Sequence, residues 1–305
     1  SDPVWRKHKA YTYTANALNT RVDADGLVAF NPATFDDFES WKPTDPSPGE
    51  EWQKTSEITL YDRYSHALEA TDINGHFAAT KMDSKQEKVL STVANASYNE
   101  LAYSGAEDAL SGSYFGGSVS KGDATHFTAP ALGHASVHTG YSSLSASSGT
   151  KAFSFEATAT ADRKMKVSVW SNKNDGLLKF KKNGGAETPF PNIVERRTGA
   201  NGWYLLTATV AVNDGDKLEA WCESGSDGTY FDDFRVHPID APMTAYVYNE
   251  YDELAFVLDN NNLFTEYEYD DMGRLASTYR ESFKYGRKKV SSYSVHYSNE
   301  PNSNK

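Results

Sequence analysis

The heptapeptide Tyr269-Asp270-Asp271-Met272-Gly273-Arg274-Leu275 predicts a tight turn between two β-strands. Asp-Asp-Met-Gly is typical of turns, because aspartate hydrogen-bonds its own backbone and glycine accepts a positive φ. The residues before it, from Tyr246 onward, are apolar and aromatic strand formers, and Asp259-Asn260-Asn261-Asn262 interrupts them as a second turn signal. Residues 246–279 therefore predict two successive β-hairpins.

The pattern of Tyr-Asp, two residues and Gly-Arg-Leu resembles the YD repeat of the rearrangement-hotspot-like (RHS) proteins. These are large bacterial surface and secreted proteins whose repeats form strand after strand of a continuous sheet. The resemblance covers residues 246–279. It implies that the chain is a C-terminal part of such a protein, secreted or at the cell surface, with the remainder of a larger parent chain or a surface protein as its partner. It implies no catalytic residue.

A weaker copy of the same pattern lies between Ile58 and Asp83. An offset of 187 residues superimposes Tyr64 on Tyr251 and also aligns four further identities. These are Asp72 with Asp259, Asn74 with Asn261, Phe77 with Phe264, and Asp83 with Asp270. We expect two copies of one hairpin unit, with the intervening segment inserted between them.

Composition indicates a globular protein with an acidic surface. The 305 residues are 38% hydrophobic, and Lys and Arg total 30 against 42 Asp and Glu, a net charge of −12. Such a charge repels nucleic acid and anionic lipid. No stretch has the roughly 18 consecutive apolar residues typical of a transmembrane helix, and we expect no membrane insertion. The single cysteine, Cys222, excludes an internal disulfide and is expected to be a small buried hydrophobe.

The segment 93–236 predicts a β-sandwich. Short alternating runs recur there at the 8 to 12 residue spacing of such folds, with Gly-rich or Asn-Asp-Gly links between them. The predicted strands lie at 135–138, 144–146, 152–155, 164–170, 178–180, 203–212, 217–222 and 230–236. The fold class is therefore all-β: an N-terminal hairpin segment (1–90), a jelly-roll sandwich (91–240) and C-terminal YD-type hairpins (241–305).

A second resemblance concerns this segment. Gly105-Ala106-Glu107-Asp108, His138 to Leu144, Gly202 to Leu206 and Tyr230 to Val236 together are similar to the jelly-roll sandwiches of carbohydrate-binding modules. Such modules often carry a structural calcium ion, and the resemblance implies Glu107 and Asp232 as its ligands.

An independent argument also favours calcium at Asp232. If Phe234 and Val236 point into the core, strict alternation sends Asp232 to the same face, where an unpaired carboxylate is costly. A cap on a loop amide or a pair with a lysine is the alternative.

Three tryptophans fall on the polar phase of their strands: Trp170, Trp203 and Trp221. Exposed, they would form a platform on which a pyranose ring stacks. The alternative is that these faces are covered where the sandwich docks on the flanking hairpins. Glycan binding through these residues is therefore a second hypothesis.

An enzyme is the third hypothesis. No nucleophile elbow, metalloprotease helix, phosphate loop or dinucleotide turn is present in the sequence. Pairs such as Asp36-Asp37 or Asp232-Asp233 do not single out a glycosidase, and His126, His134 and His138 lack a helical metal-binding spacing. Asp23-Ala24-Asp25-Gly26 is expected to be a turn rather than a calcium loop.

The C-terminal residues 283–297 predict one more hairpin, with a basic turn at Lys284, Arg287, Lys288 and Lys289. Together these observations predict a non-catalytic structural or adhesive module. The alternatives are a carbohydrate-binding module and a polysaccharide-active enzyme on a jelly-roll scaffold.

Overall fold

The computed structural model describes residues 4–13, 21–22, 28–29, 52–108, 117–128, 135–198 and 202–294. They belong to two compact units, Ser1–Phe77 and Ala78–Lys305. The division at residues 90 and 240 stays a prediction. The predicted turn 23–26, the proline-rich loop 44–49, the pair Asp36-Asp37, the histidine His134 and residues 295–297 of the last predicted hairpin lie outside the described residues.

The described chain is all-β, as predicted, and its one helical segment is the 3₁₀ turn Tyr98–Glu100. Its strands are β1 (Lys9–Tyr13), β2 (Arg21–Val22), β3 (Val28–Ala29), β4 (Trp52–Tyr61), β5 (Ala67–Asp72), β6 (Phe77–Met82), β7 (Val89–Ala94), β8 (Ala102–Ser104), β9 (Ser120–Lys121), β10 (Thr125–Thr128), β11 (Ser142–Ala146), β12 (Lys151–Thr158), β13 (Arg163–Ser171), β14 (Gly176–Lys182), β15 (Thr188–Pro189), β16 (Val194–Arg197), β17 (Tyr204–Val212), β18 (Lys217–Ser224), β19 (Thr229–Pro238), β20 (Met243–Tyr248), β21 (Leu254–Leu258), β22 (Phe264–Tyr269), β23 (Leu275–Ser282) and β24 (Gly286–Ser292).

Several turns between consecutive strands have the same hydrogen-bond pattern. The side-chain oxygen of the first residue accepts the N–H groups of the third and fifth, and the N–H of the fourth returns to the first carbonyl. The fourth residue has a positive φ, whether it is glycine, as in Gly273, or not, as in Asn262. The turns are 62–66, 72–76, 249–253, 259–263 and 270–274. The offset of 187 superimposes 62–66 on 249–253 and 72–76 on 259–263, so the two predicted copies share their turn geometry.

Tyrosines precede three of these turns, and each hydroxyl donates to a backbone carbonyl of the neighbouring chain segment. The pairs are Tyr61 with Lys7, Tyr248 with Val89 at 3.1 Å, and Tyr269 with Leu254 at 2.8 Å. In the pairs Tyr61-Asp62, Tyr248-Asn249 and Tyr269-Asp270, the tyrosine therefore binds the neighbouring segment, and the Asp or Asn side chain closes the turn.

Replacing Asp270 by alanine tests the turn. Asp270 accepts the N–H groups of Met272 and Arg274 at 2.9 and 3.0 Å. Its loss is expected to lower the free energy of unfolding by about 1–2 kcal/mol, whereas Asp270→Asn, which keeps an acceptor oxygen, is expected to lose less than half of that. Urea denaturation of the three proteins measures the difference. Equal losses for both variants would show that the turn bonds do not stabilise this hairpin.

In the first unit, β1, β4 and β5 pair in that order, and β2 pairs with β3. In the second, a hairpin sheet has the order β6-β7-β20-β21-β22-β23-β24. β7 and β20 are antiparallel neighbours, with Val93 opposite Met243, although 148 residues separate the two strands in sequence between Ala94 and Met243. The segment between these strands is thus an insertion, as expected.

The inserted segment is a β-sandwich of two antiparallel sheets. One has the order β10-β11-β19-β13-β17-β16, with β8 also on β19, and the other β15-β14-β18-β12-β9. Its core lies between the two sheets and includes Phe153 and Phe234, whose ring centroids are 5.7 Å apart. Cys222 is buried there as expected, and burial raises the pKa of its thiol to about 12.

Two details of the strand prediction are wrong. Residues 135–138 form a turn and bend rather than a strand. In the last hairpin, β23 and β24 flank residues 283–285, so Arg287, Lys288 and Lys289 lie on the strand β24 instead of in a basic turn.

Candidate functional site

The candidate site begins where the sandwich contacts the turn 259–262 of the hairpin sheet, here called the docking turn. Three sandwich side chains donate to its backbone carbonyls: Arg235 Nη1 at 2.7 Å, Trp170 Nε1 at 2.8 Å and Lys166 Nζ at 3.0 Å. These side chains stand on the outer face of β13 and β19, while Val167, between Lys166 and Trp170, is in the core. The alternation of the strands therefore separates a core face from a docking face.

Side chains of the docking turn also form hydrogen bonds. Asn262 Nδ2 donates to the carbonyl of Asp233, in the sandwich, at 3.0 Å. Asn260 Oδ1 accepts the N–H of Met243, on β20 of the hairpin sheet, at 3.1 Å. Asn262 is fully buried and has φ of 64°, a conformation that asparagine tolerates better than most residues. The Asn-rich turn is thus both a hairpin turn and an interface.

His138, Asp233 and Glu281 form the buried centre of this interface. We call these three residues the histidine latch. His138 Nδ1 lies 2.7 Å from Asp233 Oδ2 and its Nε2 lies 3.0 Å from Glu281 Oε1, on β23. Burial disfavours the charged ring, but the Glu281 and Asp233 carboxylates outweigh it and raise the pKa of His138 to about 10. The imidazolium ring also stacks on Trp170, with centroids 4.1 Å apart. The latch thus joins the sandwich to the hairpin sheet by a buried ion triad.

Asp233 accepts hydrogen bonds from several side chains around the latch. It accepts the Tyr103 hydroxyl at 2.7 Å and the Thr139 hydroxyl at 2.9 Å in addition to His138. Its φ is 51°, and the register between β13 and β19 shifts at this point. A β-bulge of this kind turns side chains away from the alternating pattern.

The bulge corrects the argument from alternation for Asp232. Phe231 and Phe234 are both in the sandwich core, and Asp232, which is fully buried, instead accepts the N–H groups of His138 and Thr139 at 2.8 and 3.2 Å. The alternative interpretation, a cap on loop amides, is what the structure has. Alternation alone no longer supports a metal ion at this residue.

Glu107 lies beside the same carboxylates. Its Oε1 accepts the N–H groups of Tyr141 and Ser142 at 3.2 and 3.3 Å. Burial and the nearby Asp233 carboxylate raise the pKa of Glu107 well above its usual value, and burial and Asp233 act on Asp232 in the same way. Among the described residues, no group of three or more His, Cys, Asp and Glu side chains has the geometry of a metal site.

The three tryptophans are buried, so the structure contradicts the hypothesis that they are exposed. Trp170 and Trp203 are 0% and 1% accessible and cluster with Leu205 at the docking face. Trp221 is also 0% accessible, although it lies on the outer face of its sheet. The ammonium groups of Lys151 and Lys181 lie 3.7 and 5.8 Å from the centroid of the Trp221 ring. Long lysine stems cover such rings, so a polar phase does not establish exposure.

Arg163 holds the two chain segments that enter and leave the sandwich. Its guanidinium donates to the Asn95 carbonyl at 2.7 Å, to Asp240 at 2.8 Å and to Glu100 at 3.2 Å. Residue 95 follows β7 and residue 240 precedes β20, so one side chain ties both crossings together.

A tyrosine cleft lies beside the latch. It has a volume of about 60 Å³ and is partly open to solvent. Its lining includes Tyr141, Tyr246, Tyr248, Glu107 and Asp108. Half-buried tyrosines beside carboxylates suit a polar ligand, because the ring supplies an apolar face and the oxygens accept hydrogen bonds.

Sequence reasoning paired Glu107 with Asp232 as calcium ligands but did not relate either residue to His138. It missed Asp233, Glu281 and the cleft tyrosines as partners. A signal was present for Asp233, since an Asp-Asp pair inside a strand of core residues is unusual. No local signal relates His138 to Glu281, because they are 143 residues apart. His126, for its part, bonds the Ala106 carbonyl at 3.0 Å.

No protein-family model matches the sequence, and no curated protein matches it. Similar solved structures include a family 61 carbohydrate-binding module in complex with β-1,4-galactotriose, with 21% identity, TM-score 0.28, 39% of this chain and 86% of that chain covered. A family 6 module from Cellvibrio mixtus lichenase 5A, in complex with cellotriose, has 14% identity, TM-score 0.27 and coverages of 39% and 91%. A family 35 module from Clostridium thermocellum has 16% identity, TM-score 0.26 and coverages of 46% and 98%. The sandwich assignment rests on the strand pairing above.

Among the described residues, no helix is long and apolar enough to span a membrane.

Proposed function

We propose that the chain is a non-catalytic adhesive module that recognises a saccharide at the tyrosine cleft, where the sandwich meets the hairpin sheet. The observation that carries the proposal is the cleft itself, where Tyr141, Tyr246 and Tyr248 stand beside Glu107 and Asp108. The structural neighbours described above are carbohydrate-binding modules. Trp170, Trp203 and Trp221 do not take part, because they are buried.

The interface gives the sandwich a fixed place in the hairpin sheet. The docking turn, the histidine latch and Arg163 hold it through contacts with side chains that are mostly buried. A binding surface that does not move relative to its support loses less entropy when it binds. The structural role and the adhesive role are therefore parts of one proposal.

The proposal includes a larger context. The repeated turns and the tyrosine hydroxyl bonds support membership in a YD-repeat protein, secreted or at the cell surface, with the rest of that protein as partner. Nucleic acid is not proposed, because the chain carries a net charge of −12.

Saccharide binding is tested with a glycan array and with calorimetry on the whole chain. Binding to some oligosaccharide is expected, and Tyr141→Leu is expected to weaken it about tenfold, since stacked aromatic pairs contribute about 0.5–1.5 kcal/mol. The control is Tyr285→Leu, at an exposed tyrosine outside the cleft lining. A chain that binds no saccharide, or binds it equally well without Tyr141, would overturn the proposal and leave a structural scaffold.

Structural calcium at Glu107 and Asp232 remains part of the proposal. Support comes from three neighbouring carboxylates, of which Asp232 and Asp233 are fully buried and Glu107 is half-buried. Asp233 raises the pKa of both Glu107 and Asp232. A divalent cation would compensate this charge, and carboxylate oxygens are the ligands that calcium prefers. The carboxylate oxygens of Glu107 and Asp232 would have to coordinate the cation while they also accept hydrogen bonds from backbone amides.

Stability measurements at two pH values test the calcium proposal. Glu107 and Asp232 have raised pKa values in the folded chain, so in EDTA the melting temperature is expected to fall as pH rises from 5 to 8, through deprotonation. Calcium at a hundredfold excess over its Kd is expected to add about 2.7 kcal/mol at pH 8 and less at pH 5. Identical melting curves with EDTA and with calcium would rule out these ligands.

A further inference from the structure

The tyrosine cleft lies in a negative field. Burial and then the carboxylates of Glu107, Asp108, Asp252 and Glu250 raise the pKa of the Tyr141 hydroxyl. Asp83 also lines the cleft, and Lys88 is the one basic side chain in its lining. A cleft with several carboxylates and one ammonium attracts cations and repels anions.

Lys88 shows how the cleft holds a cation. Its ammonium forms a salt bridge with Asp252 and lies 5.4 Å from the centroid of the Tyr248 ring. An aromatic face and a carboxylate together make the environment in which proteins bind ammonium groups. The Lys88 ammonium thus occupies the kind of environment that the ammonium group of a ligand would need.

The size of the cleft limits what can enter it. About 60 Å³ accommodates roughly two water molecules at the volume of about 30 Å³ that each has in the liquid, which is enough for an ammonium group and the carbon that bears it. A whole pyranose ring would instead lie across the mouth, where the half-buried tyrosines stand. The cleft therefore suits a ligand with one small charged group on a larger hydroxylated body.

We propose that the cleft binds the protonated amine of an amino sugar, with the ring of that sugar resting on the tyrosines at its mouth. The inference rests on the proposed saccharide function and adds the class of sugar. Asp108, in the cleft lining, accepts the ammonium hydrogens, and Tyr248 presents its ring to the same charge. An uronic acid is disfavoured, because its carboxylate would meet Asp83 and Asp108.

Binding of three oligosaccharides to the full chain at pH 6 tests the inference: glucosamine trimer, N-acetylglucosamine trimer and cellotriose. The glucosamine trimer is expected to bind at least about tenfold more tightly than the other two. Asp108→Asn keeps an acceptor for the Ser84 N–H at 3.1 Å. This variant is expected to bind the glucosamine trimer about threefold to tenfold more weakly than the wild type. The matched control is Asp123→Asn, at an exposed aspartate outside the cleft lining.

A second variant separates ligand binding from a structural role. Lys88→Gln removes the resident ammonium, so it is expected to strengthen binding of the glucosamine trimer by about threefold, although it removes a salt bridge. Equal binding of all three oligosaccharides, or no response to Asp108→Asn and Lys88→Gln, would overturn the amino-sugar inference and leave saccharide recognition standing. Failure of all three to bind, with no other glycan bound on an array, would overturn both.

Discussion

His138→Ala is expected to lower the free energy of unfolding of the second unit by about 3–5 kcal/mol, the usual loss when one partner of a buried ion pair is removed. The imidazolium bridges Asp233 and Glu281 at 2.7 and 3.0 Å, and all three side chains are at most 4% accessible. Without the ring, two buried carboxylates face each other with no cation between them. Urea denaturation followed by tryptophan fluorescence measures the loss.

Two comparisons make this result specific to the latch. His126→Ala removes a half-buried histidine with a bond to one carbonyl, and about 1 kcal/mol is expected. Adding Glu281→Gln to His138→Ala removes one uncompensated charge, so the double variant is expected to be more stable than His138→Ala alone. A loss no greater than that of His126→Ala would show that the latch does not stabilise the fold.

The latch also has a pH dependence. The pKa of His138 is raised from 6.5 to about 10, so its contribution is complete below pH 6.5 and is lost as the pH rises through 10. The wild-type advantage over His138→Gln is therefore expected to shrink between pH 6.5 and about 10. An advantage that stays constant over this range would indicate a neutral His138.

Trp170→Ala is expected to be the other large effect, with a loss of about 3–5 kcal/mol. The indole is 0% accessible, stacks on His138 and donates to the docking turn at 2.8 Å. Trp170→Phe keeps an aromatic ring but not the donor, so a loss of about 1–2 kcal/mol is expected. Thermal and urea unfolding of both variants measure these losses.

The control for Trp170 is Trp5→Ala, because Trp5 is 75% accessible; its loss is expected to stay within about 0.5 kcal/mol. A surface platform for sugars would give the same small loss at Trp170, together with loss of ligand binding. That pair of results would contradict the docking account.

Local sequence was sufficient to predict the turns. Asp259, Asp270 and Gly273 act through bonds that span at most four residues, so their chemistry predicts the geometry wherever they occur. The insertion could be predicted as well, because the copies on either side of it share the same turn signals. The alternating apolar phase of β13, with Met165, Val167 and Val169, predicted the core of the sandwich correctly.

The site could not be predicted in the same way. Strand phase placed Trp221 on a polar face, but lysines of neighbouring strands cover its ring. Alternation failed at Asp232, since the bulge at Asp233 reverses the direction of the side chains. The pairing of His138 with Glu281 depends on how the sandwich docks, which no local pattern encodes.

Hydrogen exchange measured by mass spectrometry tests the central claim most directly, namely that the sandwich and the hairpin sheet of the second unit form one cooperative structure. Amides of β13 and β19 and those of β21 and β22 are expected to share one opening free energy, and His138→Ala is expected to lower both by the same amount. Sandwich strands that stay protected in His138→Ala while β21 and β22 exchange freely, or the reverse, would contradict the account.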